Sequence, residues 1–128
     1  MQPRELTPEE VAILQLLLPE GGFPDVDVYR EQVDHLMGTG KCACGCPTIS
    51  LAVDRSRARP ADCRGTPLLP VEAEAGDPKL PVQLILFAPD GWLTSLELVY
   101  FDGRPPAHFP PLSDLRIRPR PADHNVSS

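Results

Sequence analysis

The hydrophobic period of this chain changes once, just after Gly40, and that change limits what it can fold into. Before it, apolar residues recur at helical spacing; after it they alternate in twos, as in half-buried strands. The first helical segment has a defined start. Thr7 is an N-cap, Pro8 suits the first helical position and Glu10 completes a Thr-x-x-Glu capping box. Leu6 and Val11 are spaced for a hydrophobic staple. Pro19 and Gly21-Gly22 stop the helix at Leu18. Val11, Leu14, Leu17 and Leu18 line one face, widened by Ile13 and Leu16, so the helix is expected to make contact on more than one side.

A second helix is expected over Asp25–Met37, opened by Pro24 and ended by Gly38 in a left-handed cap. Its buried face is Val26, Tyr29, Val33, Leu36 and Met37. Beyond Gly40, Ile49, Leu51 and Val53 form one half-buried strand, and Leu69, Val71, Ala73 and Ala75 alternate with Glu72 and Glu74 in another. Leu80–Ala88 and Trp92–Phe101 flank Pro89-Asp90-Gly91, the pattern of an antiparallel hairpin. Leu115-Arg116-Ile117 adds a short edge strand.

Helices followed by a run of strands predict an α+β fold, with two N-terminal helices on one face of a four- to five-stranded antiparallel sheet. The 128 residues suit one domain, expected over 1–118, with a frayed tail over 119–128. Seventeen prolines, lying mostly between the periodic segments, read as stiff loops. The formal charge of −6 is confined to residues 1–40, where eight acids face only Arg4 and Arg30. That balance argues against nucleic acid and anionic membranes and suits a basic protein partner. Residues 11–18 are apolar but follow Glu5, Glu9 and Glu10 and are too few to span a bilayer, so a cytoplasmic location is expected.

The densest chemistry lies in Cys42-Ala43-Cys44-Gly45-Cys46-Pro47, with Cys63 following 17 positions later. Cys42, Cys44, Cys46 and Cys63 are the candidate metal ligands, for zinc or copper, with His35 as an alternative fourth. A four-cysteine zinc site usually takes two Cys-x-x-Cys turns. Here the spacing is Cys-x-Cys, and residues i and i+2 of an extended strand lie roughly 6.5–7 Å apart. The backbone must therefore bend, as Gly45 and Pro47 allow, and soft Cu(I) suits such spacing at least as well as zinc. A reduced cytosol disfavours disulfides. Two further readings remain open: thiol redox chemistry, and four small buried side chains.

No other constellation outweighs its bland alternative. Glu72, Glu74 and Glu97 resemble a carboxylate group but read first as a charged sheet face. His35, His108 and His124 have no fixed partner. Trp92 reads as packing, and Arg55, Arg57 and Arg59 as a solvated loop. Gly-x-Ser-x-Gly, His-Glu-x-x-His and phosphate-loop patterns do not occur.

Cys44-Gly45-Cys46-Pro47-Thr48-Ile49-Ser50-Leu51 and Asp90-Gly91-Trp92-Leu93-Thr94-Ser95-Leu96-Glu97-Leu98-Val99-Tyr100, with Leu6–Glu10, resemble small actinobacterial-type proteins of no established activity. Those share the Cys-Gly-Cys-Pro lead into a strand and the late Asp-Gly hairpin. The resemblance implies no catalytic, cofactor or binding residues. The function expected is therefore that of a non-catalytic binding or interaction protein, such as one partner of a toxin–immunity-like pair. The alternative is a metal-binding or redox-responsive thiol protein.

Overall fold

The computed structural model describes residues 3–20, 24–41, 45, 47–62, 68–77, 80–100, 106 and 108–119. Among these, two helices, α1 (Pro8–Leu17) and α2 (Val26–Val33), accompany seven strands: β1 (Arg4–Glu5), β2 (Leu36–Lys41), β3 (Ile49–Val53), β4 (Leu68–Asp77), β5 (Leu80–Phe87), β6 (Ser95–Tyr100) and β7 (Arg116–Pro119). The strands form one sheet in the order β1-β2-β3-β6-β5-β4-β7, with every neighbouring pair antiparallel. The expectation of four to five strands is therefore corrected to seven; the class remains α+β.

The two additional strands have no sequence signal of their own. β1 is two residues long, too short to show a period. β2 reads Leu-Met-Gly-Thr-Gly-Lys and becomes a strand by pairing with β3, Leu36 opposite Val53 and Lys41 opposite Ile49. This shortens the second helix. It ends at Val33, where the N–H groups of Asp34 and His35 bond the carbonyls of Glu31 and Gln32. Gly38 is thus no helix cap. It is buried in β2, and a Cβ there would come within 2.6 Å of the Ile49 side chain. Leu36 is buried as expected, but on a strand, and Met37 is half-buried.

α1 agrees with its expected start. The Thr7 hydroxyl accepts from the Glu10 N–H at 3.1 Å, and the Glu10 carboxylate accepts from the Thr7 N–H at 2.9 Å. Arg4 then clasps Glu10 through two bonds, of 3.0 and 2.8 Å, tying β1 to the first helical turn. The chain leaves α1 at Leu18, whose carbonyl accepts from the Arg30 guanidinium.

One face of the sheet and both helices share a single core. Ile49, Ala73, Leu84, Leu86, Leu96 and Leu98 face Ile13, Leu14, Leu17, Val26, Tyr29 and Val33. Each fully buried aliphatic side chain contributes roughly 1.5–3 kcal/mol relative to exposure. The seam between β3 and β6 is narrow: Ile49 pairs with Leu96 and Ser50 with Ser95, extended by Leu51 N–H to the Thr94 carbonyl at 2.8 Å. Beyond it, Thr48 continues the contact with its side chain, its hydroxyl accepting from the Leu98 N–H at 2.9 Å.

The β5–β6 hairpin forms, but not around a tight Asp-Gly turn. β6 begins at Ser95, three residues later than expected, and Phe87 pairs with Ser95 across a wide loop. Leu93 turns into the core, 1% exposed. Gly91 takes φ +85°, and a Cβ there would lie 2.1 Å from the Ala61 carbonyl oxygen. β7 runs to Pro119, opposite Val71, one residue into the expected tail; 120–128 lie outside the described residues.

Candidate functional site

All four candidate ligands, Cys42, Cys44, Cys46 and Cys63, lie outside the described residues, as does His124. Their neighbours are placed. Lys41 and Ile49, which bracket Cys42, Cys44 and Cys46 in the sequence, are register partners of β2 and β3. Asp62, which precedes Cys63, donates its N–H to the Asp25 carboxylate at 2.9 Å, at the start of α2. His35 stands before Leu36, at the end of β2 opposite Lys41, so five strand steps of roughly 3.3 Å each separate those ends. Among the described residues no group of three or more His, Cys, Asp or Glu side chains could hold a metal ion.

The three sheet carboxylates share the outer face without forming a catalytic pair. Glu72 and Glu97 flank Ile85 in one row of the ladder, and Glu74 lies opposite Gln83 and Arg116. The Gln83 amide donates to Glu72 at 2.5 Å, and the Ser95 hydroxyl to Glu97 at 3.3 Å. His108 is exposed beside an open groove of about 350 Å³ that also meets Arg4, Glu9, Glu10 and Pro47. Burial alone would raise the Glu10 carboxyl. The Arg4 guanidinium and the Thr7 N–H and hydroxyl outweigh it and hold that carboxyl below the ordinary range.

A second groove, of about 340 Å³, lies between the helices and is bordered by Gln15, Leu18, Asp27, Arg30, Glu31 and Asp34. Its charge is acidic because three carboxylates, Asp27, Glu31 and Asp34, outnumber Arg30 among its lining residues, and the Arg30 guanidinium donates to the Leu18 carbonyl. Asp27 and Asp34 are exposed and make no ion pair among the described residues. Glu31 meets Arg59 at 3.6 Å.

Beside this groove the loop after β3 is clamped in place by residues the sequence pattern did not single out. Gln32 is fully buried. Its amide donates to the Arg59 and Gly91 carbonyls at 3.0 and 2.8 Å and its oxygen accepts from the Leu93 N–H at 3.0 Å. The Ala61 N–H bonds the Gly91 carbonyl at 2.9 Å. Asp25, expected inside the helix, is its N-cap in a left-handed conformation, φ 66°. Arg55 stacks over Trp92 at 4.8 Å, giving that half-buried tryptophan a surface partner. The available signal was a glutamine set between Tyr29 and Val33 on the apolar stripe of α2.

Compared with known families, curated proteins and solved structures, the chain matches none. The chemistry of these surfaces therefore carries the functional argument. No described helix is long and apolar enough to cross a membrane.

Proposed function

We propose that this protein is a non-catalytic binding protein whose α1–α2 groove receives a basic segment of a protein partner. The observation that carries this reading is the set Asp27, Glu31 and Asp34 on one open groove, three carboxylates against the single arginine, Arg30, that lines it. A partner rich in arginine or lysine gains there what a polyanion would lose, and toxin–immunity-like recognition is of this kind. Amide chemical shifts during titration with an arginine-rich peptide, and with a glutamate-rich peptide of equal length, test it. Shifts at Asp27–Asp34 with the arginine peptide alone are expected, lost in the double variant D27N/D34N. Absence of shifts, or shifts centred elsewhere, overturns the reading.

A second reading is a soft-metal or redox thiol site in the β2–β3 hairpin. It is favoured by the pairing of Lys41 with Ile49, the described residues that bracket Cys42, Cys44 and Cys46 in the sequence. Three thiols at Cys-x-Cys-x-Cys spacing suit Cu(I). Anaerobic titration with Cu(I) and with Zn(II) should then show near-stoichiometric binding that Cys44→Ser abolishes and Cys63→Ser leaves in place. Occupancy below about a tenth of an equivalent removes this reading.

A further inference from the structure

We propose that the arginine loop after β3 and the acidic face of α2 form one self-complementary surface, through which the protein binds a second copy of itself. This rests on the reading of the α2 face as a docking surface and names what meets it. Arg55, Arg57 and Arg59 are all exposed on the loop; Arg57 meets Asp54 at 3.6 Å yet stays 70% exposed at its side chain. Asp27, Glu31 and Asp34 are exposed on the helix. The two patches share a border, marked by the Arg59–Glu31 pair at 3.6 Å.

Adjacent patches of opposite sign have a geometric consequence. A twofold axis through their border lays each arginine loop on the other copy's acidic face, so both contacts form together. The loop is also held ready for it. Its backbone is bonded at Arg59 by Gln32, at Ala61 by the Gly91 carbonyl and at Asp62 by Asp25, and Arg55 rests on Trp92. Little ordering is left to oppose association. Away from this surface, two chains of charge −6 repel each other, which selects the one orientation that sets arginine against acid.

Sedimentation velocity on the full chain, over a concentration series at fixed moderate ionic strength, tests the proposal. Wild type should show a monomer–dimer equilibrium. Arg57→Glu and Asp34→Arg should each raise the dimer dissociation constant roughly tenfold or more, and the double variant should restore it. The two substitutions change the net charge in opposite directions, so an effect of overall charge alone would make Asp34→Arg associate more strongly. That outcome overturns the proposal, as does a wild type that stays monomeric throughout. A monomer that still takes the arginine-rich peptide in the groove removes the self-association and leaves the docking reading standing. Circular dichroism verifies that these surface variants are folded.

Discussion

The backbone N–H of Leu93 donates to the side-chain oxygen of Gln32 at 3.0 Å, a buried bond between residues 61 positions apart. Through its amide the same glutamine also holds the carbonyls of Arg59 and Gly91. One side chain thereby joins α2, the arginine loop and the β5–β6 loop. Replacing it with the apolar Met keeps the volume and removes all three bonds, leaving the Leu93 N–H without its partner. The expected cost is about 3 kcal/mol, read as a lower urea midpoint at unchanged slope.

Gly91 and Gly45 make a matched pair for backbone strain. Both have positive φ, +85° and +96°, but at Gly91 a Cβ collides with the backbone of Ala61, whereas at Gly45 nothing among the described residues lies within 4 Å. Gly91→Ala should cost on the order of 3 kcal/mol and disturb the Arg55–Trp92 stack, visible as a shift in tryptophan emission. Gly45→Ala should cost only about 1–2 kcal/mol, the conformational part alone, and leave the emission unchanged. Equal costs would remove the collision as the cause.

The Arg4–Glu10 clasp makes stability depend on acid pH. Because Glu10 titrates lower in the folded chain than in the unfolded one, its contribution is present above the unfolded value of roughly 4.3 and is lost as pH falls through the folded value. Arg4→Met removes the cation and leaves only the Thr7 bonds to oppose burial, so the Glu10 carboxyl titrates higher than in wild type. Thermal midpoints measured between about pH 3 and 7 should lie below wild type near neutral pH, with the gap narrowing as pH falls, because the variant has less acid-labile stabilisation left to lose. Superimposable profiles would show that the clasp contributes nothing.

Thr48 carries the seam between the two parts of the sheet where backbone pairing stops. Thr48→Val preserves shape but leaves the Leu98 N–H without an acceptor, at an expected cost of about 1–2 kcal/mol in urea unfolding. Native-state hydrogen exchange should show the Leu98 amide losing protection while that of Leu84, inside the β5–β6 ladder, keeps it.

What could be read from the chain was what local rules govern. The capping box at Thr7 and Glu10 depends on residues three apart, and the alternation in β3, β4 and the β5–β6 hairpin depends on burial of one sheet face. These signals survive folding because neighbours in sequence generate them. The acidity of the helical half was equally plain, since net charge is additive. The spacing of Asp27, Glu31 and Asp34 sets them on one side of α2, but the groove they border was not legible, because it depends on how α1 packs beside them.

The sequence by itself thus determined the α+β class, the helix start, the principal strands and the charge imbalance. The tertiary structure alone decided that Leu36–Lys41 leaves the helical pattern to pair with β3, which brings the sheet to seven strands with β1 at its edge. It alone turned Gln32 inward, set Gly91 against Ala61 and brought Arg59 beside Glu31. The physical reason is the same in each case. A short glycine-rich segment, a polar residue on an apolar stripe and an arginine in a loop have weak local preferences. Partners distant in sequence then supply the hydrogen bonds and contacts that select their conformation.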